Sequence, residues 1–372
     1  MSASEAELSL AIGAISGTSM DGIDVALISS DGEQFVEPGP GATFDYPAET
    51  RRALREVIGN SAAARGALGD LQRAVTDAHV AAVKAFMKEY GLDRTSVSLV
   101  GLHGQTVLHR PSERFTRQLC DGERASRLLG IDVVNDFRSA DVAAGGEGAP
   151  LVPLYHAAIA IEAERPLMIL NWGGVGNVTY LGDKGEIVAF DTGPANALLD
   201  DFLLRRRGLS HDANGALAAS GRVDWDVVAD LMGDGYFDRP PPKSLDRNHF
   251  HKAASRVEAL SDADGAATLA AFTVEATAAA AQYFSRRPTR WLVTGGGRRN
   301  ATLMRALAER LETVVEPIEA IAFDGDALEA QCFGYLAIRS RRGLPLSLPT
   351  TTGARAPTSG GVFWPAPEVF PK

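Results

Sequence analysis

Short apolar blocks ending in glycine, hydroxyl or acidic residues alternate here with longer stretches whose apolar residues recur at helical spacing. The first pattern predicts strands that feed loops, and the second predicts amphipathic helices. LAIGAI (Leu10–Ile15) and IDVALIS (Ile23–Ser29) read as paired strands, with ATFDY as a third that would complete a meander. Helices follow over Glu49–Ile58 and Leu68–Tyr90. The second carries Leu71, Val75, Ala78, Ala82, Phe86 and Tyr90 on one face, and His79 at its edge reads as a packed residue. SLVGL (Ser98–Leu102) predicts a short buried strand running into HGQT. IDVVNDFR predicts another that ends in Asn135, Asp136 and Arg138, followed by a glycine-rich loop and by Pro150 and Pro153 flanking a helix start.

The composition shifts at EAERP (Glu162–Pro166), and the strand pattern then restarts as LMIL, NWGGVGN, VTYL and IVAF. Strand, loop, strand thus occurs twice. An alanine-rich helix is predicted over Ala266–Phe284, then the strand WLVT, the glycines Gly295–Gly297 and a helix opening near Asn300. A last helix begins near Asp326, with Leu328, Cys332, Phe333 and Leu336 apolar. The turn-rich tail reads as an irregular lid or edge.

With 372 residues the chain is too long for one ordinary core and suits two domains. A hydrophobic fraction of 45% with 23% charged residues is that of a soluble globular protein. The net charge of −10 argues against a general binder of nucleic acid or anionic membranes. Cys120 and Cys332 form no metal or redox pattern, so a reducing cytoplasm is expected. The N-terminus is acidic where a signal peptide needs basic residues, and no apolar run has the length of a membrane span. Thirty-eight glycines, many clustered after strands, suit a nucleotide or sugar cleft in an α/β protein.

The candidate chemistry sits in those post-strand loops. FDTGPAN (Phe190–Asn196) joins a strand to a helical run, so Asp191, Thr192 and Gly193 are expected in a tight turn. Its N–H groups face an anion, or its Asp and Asn merely cap the helix. SGTSMDG (Ser16–Gly22) concentrates hydroxyls and a carboxylate in one hairpin loop. His103, Gln105 and Thr106 stand at the expected carboxyl end of a strand, where they suit a sugar's hydroxyls. Asp136 and Arg138 stand at the end of another strand. Two readings fit Arg138: a bidentate grip on an anionic group, or a structural pair with Asp136 or Asp141. Gly295, Gly296 and Gly297 allow close approach of a flat ligand or phosphate before the helix at Asn300. Glu329 shares a stripe with Phe333 and Leu336. A buried carboxylate needs partners or a role, whereas a first-turn acid also simply complements the helix dipole. PPPKSLDRNHFH (Pro240–His251) is either a functional loop or a solvated one. There is no Walker motif, no dinucleotide fingerprint, no nucleophile elbow and no zinc pattern.

Taken together, the hydroxyl-rich hairpin loop, the DTG turn and the late GGG turn resemble the phosphate and adenosine elements of actin/hexokinase/Hsp70-type ATPases. SGTSMDGID, GLHGQT, NDFR, AAGGEGAPLVP, NWGGVGN, FDTGPAN, PPPKS, VTGGGRRN, ALEAQCFGYLA and TTTGARAP resemble, in order, the motifs of the anhydro-N-acetylmuramic acid kinases. They run from residue 12 to about 357. Two departures are Ala195, where many members have glycine, and the less typical SLDRNHFH. The resemblance implies an α/β, two-domain actin/hexokinase-like (ribonuclease H-like) fold with an interdomain cleft. Residues 1–162 with 326–372 would form one domain and residues 163–325 the other. It implies an ATP- and Mg²⁺-using kinase of cell-wall recycling that opens 1,6-anhydro-N-acetylmuramic acid to N-acetylmuramic acid 6-phosphate. Such an enzyme is expected as a cytoplasmic homodimer with no nucleic-acid or membrane partner. By resemblance Gly17, Thr18, Ser19, Met20, Asp21, Gly22, Ile23 and Asp24 form the ATP phosphate loop. Asp191 is the catalytic base, and Glu329 is a carboxylate near the sugar. Gly193, Gly295, Gly296, Gly297 and Asn300 lie on the nucleotide side. His103, Gln105, Thr106, Asp136 and Arg138 lie on the sugar side. The carboxylates that reach Mg²⁺ stay open, with Asp21, Asp24 and Asp191 as candidates through water. A kinase for another anhydrosugar such as levoglucosan, or a non-catalytic nucleotide-binding scaffold, would share much of this pattern.

Overall fold

The alternation read between Leu10 and Ser29 folds as a hairpin. In the computed structural model, β1 (Ser9–Ser16) pairs antiparallel with β2 (Ile23–Ser30), Ile15 opposite Asp24. The structure describes residues 8–368 except 18, 19, 21, 248, 252 and 285, without the side chains of 253 and 254. The expected positions Thr18, Ser19 and Asp21 therefore lie outside the described residues. The chain divides into two units, one running to Ile161 and resuming at Ala327, the other Glu162–Asp326.

In the first unit β3 (Val36–Phe44) completes the meander against β2. The amphipathic stretches form α1 (Ala48–Val57) and α2 (Gly69–Glu89), and α2 buries Val75, Ala82 and Phe86 in one core with Ile12 and Val100. β4 (Leu99–Arg110) runs parallel to β1. The strand expected to stop at Leu102 does not stop. Gly104, at φ +73°, forms a bulge that shifts the register on β1, and the strand continues into antiparallel pairing with β5 (Phe115–Leu119). His103 is thus the extra residue of a bulge, and Gln105 and Thr106 are strand residues beyond it, rather than members of a terminal loop. β6 (Val133–Asn135) lies parallel to β4.

In the second unit β7 (Leu167–Trp172), β8 (Val175–Leu181) and β9 (Ile187–Pro194) form a second meander. The long loop expected from NWGGVGN shrinks to a turn at Gly173 and Gly174. α3 (Asn196–Arg207) and α4 (Asp262–Ala279) follow, α4 capped by Ser261, whose side chain accepts the Asp264 N–H at 3.1 Å. β10 (Arg290–Thr294) is parallel to β7. Beyond α5 (Ala301–Leu311), β11 (Val314–Pro317) is parallel to β10. The continuous run LMIL is fully buried, as a central strand covered on both faces requires.

The chain then re-enters the first unit as α6 (Leu328–Arg341) and β12 (Val362–Trp364). β12 pairs antiparallel with β6, and Trp364 Nε1–H donates to Asn135 Oδ1 at 2.9 Å, so the turn-rich tail does supply a sheet edge. The strand order β3-β2-β1-β4-β6 in the first sheet matches β9-β8-β7-β10-β11 in the second, with the same sense at each step. The fold is α/β and of the actin/hexokinase-like (ribonuclease H-like) class, with one such sheet per unit. No helix among the described residues is long and apolar enough to cross a membrane.

α6 is buried from Ala330 to Arg339 on all sides, with the first sheet against one face and Tyr155 of the Pro153–Ile159 helix packed against it at Gln331 and Tyr335. A Cβ on Gly101 would fall 2.1 Å from the Phe333 carbonyl oxygen, and one on Gly13 would fall 1.8 Å from that of Ala330. Both obstacles are backbone, so neither can give way cheaply. Gly101→Ala is therefore expected to destabilise the protein by about 1–3 kcal/mol, read as a lower urea midpoint. An unchanged midpoint would show that α6 is not seated by this contact.

Candidate active site

The hairpin loop between β1 and β2 rests on a buried polar network. Met20 N–H donates to the Gly17 carbonyl at 3.1 Å, and Met20 itself takes the left-handed conformation at φ +59°. Beneath it Gln105, fully buried, donates from Nε2 to the same Gly17 carbonyl at 3.1 Å and accepts at Oε1 from Tyr46 at 3.4 Å. Ser16 Oγ lies 2.7 Å from Tyr46 Oη, 3.4 Å from His79 Nε2 and 3.3 Å from the Gly104 carbonyl. His79 Nδ1–H donates to the Val75 carbonyl at 2.8 Å, and burial pushes the imidazole down to about 4, so it is neutral at pH 7. Ile23 is buried, and Asp24 Oδ1 accepts from Thr43 Oγ1 at 2.6 Å. Gln105 thus faces the loop from below and fixes its entry.

A second cluster lies around Arg138. Its Nε–H donates to His103 Nε2 at 2.9 Å and its Nη1–H to the Gly148 carbonyl at 2.7 Å. His103 uses its other nitrogen on the Gly104 carbonyl at 3.0 Å and packs its ring on Phe333, centroids 4.5 Å apart. Burial and the adjacent guanidinium hold His103 well below its ordinary value. Both imidazole nitrogens are engaged within the protein, and Arg138 has already spent its Nε edge. A bidentate grip through that edge is closed. Neither Asp136 nor Asp141 pairs with Arg138: Asp136 accepts from Ser139 Oγ at 2.5 Å, and Asp141 accepts from the Gly148 N–H at 2.6 Å and Thr352 Oγ1 at 2.7 Å. The carboxylate acting most strongly on Arg138 is Glu329. Glu329 is exposed in the first turn of α6, so the burial read from its stripe does not occur, although Leu328, Ala330 and Gln331 beside it are buried. Thr106 accepts from Gln118 Nε2 at 3.2 Å.

In the second unit Asp191, Thr192 and Gly193 do not form a tight turn. They complete β9, with a register shift opposite Gly176 and Asn177 that leaves Thr192 as the extra residue. Asp191 is fixed at several points. Its N–H donates to the Lys243 carbonyl at 2.9 Å, its Oδ2 accepts the Leu245 N–H at 2.8 Å, and its carbonyl accepts from Tyr236 Oη. The N–H groups of Ala195, Asn196 and Ala197 are consumed by the carbonyls of Gly173 and Gly174 at 3.0–3.2 Å. The N–H groups expected to face an anion are thus occupied by the neighbouring turn. Gly295 and Gly297 are required by packing: a Cβ there would fall 2.3 Å from Asn171 Oδ1 and 2.5 Å from Trp172 Cβ respectively. Gly296 faces open space instead. It lines a cavity of about 340 Å³ with Asn196, Asp200, Asp212, Arg299 and Asn300. Burial and the adjacent Asp201 carboxylate push Asp200 up to about 7. Asn300 caps α5 by accepting the Leu303 N–H at 3.1 Å.

Sequence reasoning missed Tyr46, Ser16 and His79 as supports, Asp200 and Asp212 as cavity residues, and Tyr236 and Leu245 as anchors of Asp191. Ser16 and Leu245 stand in stretches with a signal, SGTSMDG and PPPKSLDRNHFH, as does Lys243, and His79 reads as a packed residue; Tyr46, Asp200, Asp212 and Tyr236 stand in no motif.

The sequence profile described as "Anhydro-N-acetylmuramic acid kinase" matches residues 9–366. The anhydro-N-acetylmuramic acid kinase of Rhodospirillum rubrum is 51% identical over 362 residues, 97% of this chain and 95% of that one. That of Paramagnetospirillum magneticum is 52% identical over 353 residues, 95% and 98% of the two chains. That of Acidiphilium cryptum is 49% identical over 367 residues, 96% and 99%.

Gln105→Leu removes the amide that ties the Gly17 carbonyl to the Tyr46 hydroxyl and leaves each with one partner fewer, Met20 N–H and Ser16 Oγ respectively remaining. Nucleotide binding is expected to weaken about tenfold, equivalent to ~1.4 kcal/mol, measured calorimetrically with a non-hydrolysable ATP analogue. An unchanged Kd would separate Gln105 from the loop's function.

Proposed function

The chain belongs to the anhydro-N-acetylmuramic acid kinase family, and we propose from that membership how its residues divide the reaction. It is an ATP-dependent kinase that hydrolytically opens 1,6-anhydro-N-acetylmuramic acid and phosphorylates the 6-oxygen, giving N-acetylmuramic acid 6-phosphate and ADP. The bridge leaves no free 6-hydroxyl, so ring opening and phosphoryl transfer are joined. Asp191 takes a proton from water as the water oxygen bonds to the anomeric carbon. The bond from that carbon to the 6-oxygen breaks, and the 6-oxygen attacks the γ-phosphorus, displacing ADP. The departing oxygen is captured by phosphorus, so no separate general acid is needed.

The observation that supports Asp191 in this role is its fixation at the end of β9. Backbone N–H, backbone carbonyl and Oδ2 are each tied to a different neighbour, so the carboxylate is oriented before substrate arrives. The loop from Gly17 to Asp24 is assigned to the ATP phosphates. The cavity beside Gly296 and Asn300 is assigned to the adenosine, and the Arg138 and Glu329 cluster to the sugar. His103 acts there as a support, its nitrogens spent on Arg138 and Gly104, and Gln105 supports the β1–β2 loop through Gly17 and Tyr46.

Among the described residues no group of three or more His, Cys, Asp or Glu could hold a metal ion. A Mg²⁺ that arrives on the nucleotide needs no such cage, because it keeps water and binds through one or two carboxylates plus the phosphates. Asp24 and Asp191 are the described carboxylates proposed for it. When bound, the ion offsets charge on the β- and γ-phosphate oxygens.

The test is ADP release with anhydro-N-acetylmuramic acid against levoglucosan, with mass analysis of the product. Sugar-dependent ADP release with the muramyl substrate is expected, and Asp191→Asn should lower kcat by about 10²–10⁴. ADP release indifferent to the sugar, preference for levoglucosan, or near-normal turnover of Asp191→Asn would each overturn the corresponding assignment.

A further inference from the structure

Lys243 is the buried lysine of the PPPKS segment, 5% exposed, and the reaction as assigned makes no use of it. Its ammonium donates to the Tyr236 carbonyl at 3.1 Å and to Tyr283 Oη at 3.3 Å. It lies 4.6 Å from the ring centroid of Tyr236, 4.9 Å from that of Tyr283 and 5.9 Å from that of Phe190. Tyr283 is itself held, its Oη within 2.7 Å of the Phe237 carbonyl and 2.9 Å of the Arg239 carbonyl. Burial and Arg239 push Lys243 down to about 8 while Asp238 pulls it up, so it is a cation at neutral pH. An aliphatic side chain would fill this position without the cost of desolvating a charge.

What the cation touches explains it. The Lys243 carbonyl accepts the Asp191 N–H, and Leu245, two residues on, donates to Asp191 Oδ2. Tyr236, whose carbonyl takes the ammonium, donates its hydroxyl to the Asp191 carbonyl. Phe190, one wall of the cage, immediately precedes Asp191. These three anchors of Asp191 therefore belong to Lys243 itself, to the backbone two residues on, and to a residue that Lys243 binds.

We infer that Lys243 is a positioning residue for Asp191: its caged ammonium locks the Tyr236 backbone to the 243–245 segment, and that pair aims the carboxylate at the attacking water. The inference rests on Asp191 being the base. Cation–π and charge-assisted hydrogen bonds supply the lock. Displacing a catalytic group by about 1 Å can cost roughly 10²-fold in rate.

The experiment is a double-mutant cycle on the full chain in single-turnover assays with ATP and anhydro-N-acetylmuramic acid. Lys243→Met keeps length and apolar bulk and removes the charge. It is expected to lower kcat by about 10- to 100-fold while KM for ATP stays within about twofold. In the Asp191→Asn background the same change should cost nothing further, because the group it positions is gone. An equal loss in both backgrounds, or a loss confined to KM, overturns the inference. If Lys243→Met fails to fold by circular dichroism, Tyr236→Phe decides: it keeps the cage ring and removes one tether of Asp191. A kcat drop that vanishes in the Asp191→Asn background supports the lock, and an unchanged kcat overturns it. Near-normal turnover of Asp191→Asn alone would instead remove the base assignment, whatever Lys243 does.

Discussion

The backbone of α6 rests on β1 and β4 at glycine, and the first unit is built around that contact. With no side chains at Gly13 and Gly101, the helix backbone comes close enough that a Cβ on either glycine would overlap a carbonyl oxygen. The approach buries α6 from Ala330 to Arg339, with Glu329 the exposed residue of its first turn. It sets Phe333 against His103 and places Glu329 where its charge acts on Arg138. The electrostatics of the proposed sugar side thus follow from a packing constraint, since a helix one methyl group further from the sheet would carry Glu329 and Phe333 away from their partners.

The two sheets share strand order and sense but use their ends differently. In the first, the β1–β2 connection is long and hydroxyl-rich and is supported from below by Gln105, Tyr46, Ser16 and His79. In the second, the equivalent β7–β8 connection is a glycine turn whose carbonyls consume the leading N–H groups of α3. That turn holds the α3 N-terminus in place rather than offering it to an anion. The third strand of the second meander carries Asp191 near its end, and the chain after β10 opens beside Gly296 on a polar cavity. One architecture thus carries the loop proposed for the phosphates in one copy, and the proposed base and the cavity proposed for the nucleotide in the other.

Most of the framework was legible because period and punctuation agree with burial. The hairpins at Leu10–Ser29 and LMIL–VTYL, the helices of the α1 and α2 stretches and the cap at Asn300 follow from local pattern. The failures have a common cause. His103-Gly104 and Asp191-Thr192-Gly193 read as turns because glycine and polar residues usually end strands, yet here each forms a bulge inside one. The stripe that Glu329 shares with its apolar i+4 and i+7 neighbours does not bury it: it is exposed in the first turn, the alternative position read for it, while the rest of α6 is buried nearly all round. The supports of the site were invisible for a different reason. Tyr46 meets Ser16 and Gln105 across long stretches of chain, and Tyr236 and Lys243 reach Asp191 only through the tertiary fold. No spacing along the sequence encodes those pairings.

The central claim is that water attacks carbon while the sugar's own 6-oxygen attacks phosphorus, with Asp191 taking the proton. Turnover in ¹⁸O-labelled water, with the product analysed before the free anomeric centre exchanges, tests it most directly. The account predicts label at the anomeric hydroxyl and none in the phosphate ester or in released phosphate. Label attached to phosphorus would mean that water attacked the phosphate, and the coupled opening of the bridge would be contradicted.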